Sequence, residues 1–416
     1  MIKNFILFLA LFLISCGGGG GSSSTQNKVT TSFPAYDEEN SSSVTTVSSW
    51  GFSLSEKKFL LSLFETEYLW YDQIDTHIDL NAFEEPYSMI DALRYKPLDS
   101  WSYAETYKEY EAFTTQTSNG NFGFQYNAQT FQILNIVLGS PAQSAGLQRG
   151  DIITHINDQN ISYEVLNEAK ENLNVESTFR VLRNQESIIL KISPAIYNYS
   201  VVQYDIFMLN TGKKVGWLRY DQFSSSSLME LENAFNYFTL HKIDELIIDL
   251  RYNGGGSLTM ASILMDKIAG FNNQNKIQFT LRYNDQLSYQ DNHYRFEEDS
   301  NSLSSLSRLF VLTTNDSASA SEVLINSLKP YMDVYTIGST THGKPVGMTG
   351  RMGGEYIYWL INFLIVNVNN EGSFFDGIAP TCEAKDNFSY PRDSIDENML
   401  QEAFYYILYG VCLEDN

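Results

Sequence analysis

Positive charge is scarce in this sequence: 27 lysines and arginines face 50 aspartates and glutamates, for a net charge of −23. A surface of that sign repels phosphate backbones, which argues against nucleic acid as a partner. Cysteine and histidine are scarcer still. Three cysteines and five scattered histidines lack the spacing of a structural zinc site, so neither metal nor other cofactor is expected. Beyond the first residues no apolar run is long enough to cross a bilayer. What remains is globular. The 416 residues are 43% hydrophobic and 14% aromatic, enough for about three domains and a sizeable core.

The chain begins "MIKNFILFLALFLISCGGGGGSSS". Lys3 supplies a positive start, and Phe5 to Ile14 form an apolar stretch too short for a transmembrane helix but suited to an export signal. Leu13, Ile14, Ser15 and Cys16 resemble the bacterial lipobox, in which cleavage precedes a cysteine that is then lipidated. We therefore expect a signal peptide over 1–15, lipidation at Cys16 and a flexible Gly/Ser tether over 16–49. The expected location is the bacterial cell envelope, as a periplasmic or outer-membrane lipoprotein. The plainer reading is an ordinary signal peptide with a chance cysteine. Cys382 and Cys412 could form a disulfide in an oxidising compartment or stay as two buried thiols, and both readings stand.

Three segments follow. Over 50–115, "SLSEKKFLLSLFETEYLWYDQI" places Phe59, Leu60, Leu63, Phe64 and Tyr68 at helical spacing, with Ser53 and Glu56 as a capping box. Over 118–198, apolar β-branched runs such as "FQILNIV" and "FRVLRNQESIILKIS" alternate with turn residues, predicting a β-rich unit. Over 199–416, strand patterns ("KVGWLRY", "ELIIDLR", "LFVLTT", "VYTIGS") alternate with helical ones, which predicts a layered α/β core. The fold class expected is α/β multidomain.

Within the β-rich unit, Ala145 to Asp151 read "AGLQRGD" and lead into Ile152 and Ile153. This stretch resembles the PDZ domains of bacterial proteases. The resemblance implies that Phe122, Gly123 and Phe124 form the loop whose backbone N–H groups hold a peptide's terminal carboxylate, the peptide adding as an extra strand. Taken alone, Phe122-Gly123-Phe124 is no more than a glycine bend in a strand.

The chemistry concentrates in "TTNDSASASEVLINSLKPYMDVYTIGSTTHGKPVG", Thr313 to Gly347. An apolar strand ends, a turn of small residues follows, and a helix begins near Ser319 to Ser321. Serine at such an elbow is exposed to the favourable potential of the helix N-terminus, though serine there is more commonly a cap, the role expected for Ser317 or Ser321. No histidine sits in a context that suggests a paired base. Lys344 is the other candidate, since a desolvated lysine can accept a hydroxyl proton. Most lysines on turns are merely solvated charges.

Ser-Ala-Ser-Ala-Ser-Glu followed by Gly-Lys, together with "IIDLRYNGGGS", resembles the C-terminal processing (tail-specific) proteases, the S41 family of Ser/Lys peptidases. The resemblance implies a ClpP/crotonase-like protease core, Ser319 as nucleophile and Lys344 as base. It also implies an oxyanion hole from Gly255 or Gly256 with the N–H of Ala320. Asp249 and Arg251 would brace the glycine loop. The implied function is a lipid-anchored serine endopeptidase that captures polypeptide C-terminal tails through its PDZ domain. Two positions depart from the family pattern. Met348 stands where many members place a glutamine that helps orient the lysine, and His342 stands where an aromatic is common. Met348 keeps open a second reading, a catalytically degenerate peptide-binding lipoprotein. A nutrient-capture lipoprotein is a weaker third.

Overall fold

The computed structural model describes residues 52–118, 120–299, 301–303 and 305–413, so the expected signal segment, Cys16 and the expected tether lie outside it. The first helix, Leu54–Thr66, starts where the sequence pattern places it. Ser53 N–H donates to the Glu56 carboxylate at 2.7 Å, and Glu56 N–H donates back to Ser53 Oγ at 3.3 Å. Its buried face is Leu60, Leu63 and Phe64. A second helix, Pro86–Leu93, follows with proline in its first turn, where a missing N–H costs nothing.

This region is more than a helical appendage. Tyr103–Thr106 forms a strand that pairs antiparallel with Tyr356–Asn367 in a five-stranded sheet. Leu60, Leu63, Phe64 and Tyr68 share one hydrophobic cluster with Val346, Met348, Trp359 and Ile361 of that sheet. The strand Tyr356–Asn367 serves two cores, because Phe363 and Ile365 further along it belong to the main cluster of the α/β layer.

The PDZ-like unit has its own interior, built from Phe122, Ile133, Leu147, Ile153, Ile156, Leu166, Phe179 and Ile192. A four-stranded antiparallel sheet (Gln159–Asn160, Ile152–Ile156, Ser177–Arg183 and Glu186–Ile192, in that order) and the hairpin of Phe124–Tyr126 with Ile133–Ile136 enclose it.

The α/β layer holds a six-stranded sheet ordered Cys382–Glu383, Asp333–Gly338, Arg308–Thr313, Glu245–Asp249, Lys214–Tyr220, Val202–Met208. The first five are parallel and the last is antiparallel to its neighbour. Glu245–Asp249 is buried at every residue, as a central parallel strand covered on both faces must be. Cys382 on the edge strand is disulfide-bonded to Cys412, just past the helix Asn398–Tyr409, with 5.5 Å between the Cα atoms. Closing a loop with a sequence separation of 30 stabilises the fold by ~3.5 kcal/mol in the chain-entropy account.

Candidate active site

Three neighbouring parallel strands, Glu245–Asp249, Arg308–Thr313 and Asp333–Gly338, run out at the same edge. Their carboxyl ends deliver the glycine loop, the serine turn and the lysine turn. In open α/β sheets this is the edge where ligands bind.

The serine turn sorts its own hydroxyls. Ser317 Oγ donates to the Leu250 carbonyl at 2.8 Å and accepts Thr314 N–H at 2.9 Å. Ser321 Oγ donates to the Asn253 carbonyl at 2.9 Å. Both fasten the turn to the glycine loop, and neither is a helix cap. The cap position of the helix Ala320–Leu328 belongs to Ser319, at φ 55° and ψ −114°. That backbone conformation is unfavourable for a residue with a Cβ, by about 1–3 kcal/mol, and is kept only when the surroundings over-determine it. Of these three serines, Ser319 alone donates its hydroxyl to no protein acceptor among the described residues; the oxygen sits in the capping box with Glu322, facing the Glu322 N–H.

Glycine is required beside it. A Cβ on Gly255 would fall 2.8 Å from Ser319 Cβ and 3.0 Å from Ala320 N, and one on Gly256 would fall 2.4 Å from the Phe223 carbonyl oxygen. Gly255 N–H donates to Asn253 Oδ1 at 2.9 Å. Among the described residues, the N–H groups of Gly256 and of Ala320, at the first turn of the helix, have no acceptor. Asn253 is the clasp: its Nδ2 donates to the Tyr220 carbonyl at 2.7 Å, and its own carbonyl accepts Ala318 N–H at 3.0 Å.

Lys344 is 1% exposed and Ser319 2%. Burial pushes the Lys344 amine down from 10.5 to about 7, against the opposing pull of the Asp99 and Glu322 carboxylates. Its Nζ lies 5.8 Å from the centre of the Trp101 ring. Met348 is buried in the cluster that also holds Val346 and Ile361. His342 is half-buried and its Nε2 accepts Trp101 Nε1–H at 3.2 Å.

Glu322 links nucleophile and base. One carboxylate oxygen accepts Ser319 N–H at 2.9 Å and Lys344 N–H at 2.8 Å, while the other accepts Gly343 N–H and the Thr341 hydroxyl, each at 2.6 Å. Burial pushes this carboxyl up, although all four donors favour the anion. The residues missed from sequence are thus Glu322, Asn253, Asp99 and Trp101. Ser319-x-x-Glu322 has the capping-box spacing and could have flagged the first. Nothing local points to Trp101, which meets His342 across a sequence separation of 241.

Behind the glycine loop, Arg251 is fully buried and pairs with Asp249 at 2.7 Å, Asp386 at 2.7 Å and Glu397 at 3.0 Å. Asp249 is held well below the usual carboxylate range by Arg251 and Arg392, which outweigh its burial. Asp386 also accepts from Tyr252 and from Arg149 of the PDZ-like unit. In that unit Phe122 is buried and Gly123 has φ 86°. The Phe122 and Gly123 carbonyls point inward, accepting Ala142 N–H at 2.8 Å and Val137 N–H at 3.0 Å. Their own N–H groups have no acceptor among the described residues.

A self-contained PDZ-like unit on a layered α/β core, with these three loops at one sheet edge, defines a PDZ-bearing protein of the ClpP/crotonase-like class. Comparison with known proteins makes this specific. Three family profiles match in order: "Peptidase S41 N-terminal domain" over 55–103, "PDZ domain" over 132–192 and "Peptidase family S41" over 214–382. The chain belongs to peptidase family S41. Among its relatives is a Staphylococcus aureus protein named "Probable CtpA-like serine protease", 26% identical over 303 residues, covering 66% of this chain and 58% of the relative. A counterpart of the same name in Staphylococcus saprophyticus is 26% identical over 285 residues, with coverages of 66% and 55%. The chain therefore matches little more than half the length of these relatives. A solved Bacteroides fragilis structure assigned to the S41 proteases superposes with a TM-score of 0.73 at 25% identity, covering 85% of this chain and 97% of that one.

Proposed function

We propose that this protein is a serine endopeptidase that uses Ser319 as nucleophile and Lys344 as general base, acting on polypeptides near their C-termini. The observation that carries it is the division of labour among the serines. Ser317 and Ser321 donate their hydroxyls to main-chain carbonyls, while the Ser319 hydroxyl, in its capping box with Glu322, donates to no protein acceptor among the described residues and sits on a strained turn tied through Glu322 to a desolvated lysine. Ser319 Oγ attacks the scissile carbonyl and its proton passes to the neutral Lys344 amine. The carbonyl oxygen takes up negative charge and is met by the N–H groups of Gly256 and Ala320, donors of a kind that contribute ~3 kcal/mol each. Lys344 returns the proton to the departing amine. Water, deprotonated by the same lysine, then releases the acyl group and restores the serine.

The PDZ-like unit supplies the recognition step in this reading, with Phe122, Gly123 and Phe124 receiving a terminal carboxylate. The lipobox-like Leu13 to Cys16 would fix the enzyme to a membrane of the cell envelope by its acylated cysteine, with the Gly/Ser stretch as tether. The buried Met348 favours a second reading, a peptide holder without turnover.

One experiment separates the two. The purified full chain is incubated with an unfolded polypeptide and, separately, with a fluorophosphonate probe. Cleavage and probe labelling in the wild type, both abolished in Ser319→Ala with the melting temperature unchanged, support the peptidase. Peptide binding with neither cleavage nor labelling at any pH selects the holder.

A further inference from the structure

The loop 99–102 of the N-terminal region reaches the strand that pairs with Met348. Met348 is paired with Ile361 across the five-stranded sheet, and Ile361 N–H donates to Ser102 Oγ at 3.1 Å. Asp99 holds this loop rigid. It is buried, and it accepts Trp101 N–H at 2.9 Å, Ser102 N–H at 2.9 Å, the Ser102 hydroxyl at 2.6 Å and the Tyr68 hydroxyl at 2.7 Å. The Trp101 side chain is then fixed at its far edge by Nε1–H donating to His342 Nε2, two residues before the lysine. A ring held from both sides in this way presents its face 5.8 Å from Lys344 Nζ.

We infer that Trp101, clamped between Asp99 and His342, is the positioning residue for the Lys344 amine, taking the place of an orienting amide at position 348. The proposal rests on the Ser/Lys reading of the site. Trp101 touches no reacting atom and accepts no proton. Its face attracts the ammonium that forms when Ser319 gives up its proton, and its bulk keeps water from competing for that amine. The N-terminal region is therefore part of the base pocket and not only a support for the sheet. The charged and titratable groups facing the amine are Asp99 from this loop and Glu322 from the helix, with His342 on the lysine's own turn.

The test is the rate of Ser319 labelling by a fluorophosphonate, measured on the full chain from pH 5 to 9.5 for the wild type, Trp101→Leu, Trp101→Phe and Asp99→Asn. The plateau fitted above each variant's own titration midpoint reports positioning, because the lysine is neutral there. Trp101→Leu should lower that plateau about tenfold, the scale of a desolvated cation–π contact. Trp101→Phe restores a ring face and should recover to within about threefold of wild type. Asp99→Asn removes an anion that favours the ammonium, so its profile should move to lower pH. A Trp101→Leu plateau within twofold of wild type, a Trp101→Phe plateau as low as that of Leu, or an unmoved Asp99→Asn profile overturns the inference. If circular dichroism shows that Trp101→Leu does not fold, Trp101→Phe labelling twofold to threefold below wild type with a shifted Asp99→Asn profile supports it, and an unchanged pair rejects it. Absence of wild-type labelling at every pH is a different failure, that of the Ser/Lys reading itself.

Discussion

Two lysines of this protein are almost fully buried, Lys267 at 0% exposure and Lys344 at 1%, and each lies about the same distance from an aromatic ring: 5.9 Å to Phe235 and 5.8 Å to Trp101. They differ in their carboxylates. Lys267 Nζ bridges Glu232 at 2.6 Å and Asp299 at 2.9 Å. Lys344 makes no ion pair among the described residues, and the nearest anions, Asp99 and Glu322, are saturated by donors other than its amine. Lys267 is thus an ion-paired structural residue, whereas burial without such partners leaves the Lys344 amine with a pKa lowered to about 7. Desolvation lowers an amine's pKa this far only where counter-ions are withheld.

The largest expected effect is that of Lys344→Met. General-base assistance is worth roughly 10²- to 10⁴-fold, so peptide hydrolysis should fall by about that factor. The fold should become more stable. The folded-state value of about 7 lies below the ordinary 10.5, so the native state binds fewer protons than the unfolded chain between those values. The cost of burying Lys344 is full below pH ~7 and fades as pH rises through the unfolded value. The separation corresponds to ~5 kcal/mol as an upper bound, and a gain of about 1–2 kcal/mol at pH 7 should be measurable by urea unfolding. For the wild type, hydrolysis should rise with pH through about 7 as the amine becomes neutral. A flat profile from pH 5.5 to 8.5 would contradict Lys344 as base.

Glu322→Gln comes next. The amide keeps one acceptor where four donors converge, so at least one backbone N–H beside Ser319 or Lys344 loses its partner. A drop of about 10- to 100-fold in kcat with little change in KM is expected, with a stability loss of ~2 kcal/mol. A proportionate rise in KM with kcat intact would show instead that Glu322 shapes substrate binding.

How much of this was legible beforehand depends on whether the signal was local. The strand Lys214–Tyr220 and the capping box at Ser53 and Glu56 stand where the pattern puts them, because side-chain period and turn chemistry are local. The family resemblance named Ser319, Lys344 and the glycines together, and the strand order brings their loops to one edge of the sheet. That Gly255 N–H is taken up by the Asn253 side chain could not be read from the sequence. The helical appearance of residues 50–115 hid a strand, Tyr103–Thr106, whose pairing is supplied by Tyr356–Asn367 far along the chain. That long strand carries no clean alternation, since one end packs on the N-terminal helices and the other on the α/β core. Trp101 and Asp99 were illegible for the same reason: they belong to one region by sequence and to another by chemistry.

The smallest effect, and the sharpest for the contrast drawn first, is Lys267→Met. Removing this cation leaves Glu232 and Asp299 facing each other, with side-chain exposures of 31% and 19%. Partial hydration screens that repulsion, so the loss should be about 1–2 kcal/mol and not the larger cost of a fully buried orphan charge. The turn carrying Lys267, Asp266–Gly270, belongs to none of the three loops at the candidate site, so kcat and KM should both stay at wild-type values. The two lysine-to-methionine variants should therefore move in opposite directions on both axes: one loses activity and gains stability, the other loses stability and keeps activity. Urea unfolding and steady-state hydrolysis on the same preparations decide it. If both variants destabilise the fold alike, the amine of Lys344 is paired as Lys267 is, and the distinction between structural cation and base disappears.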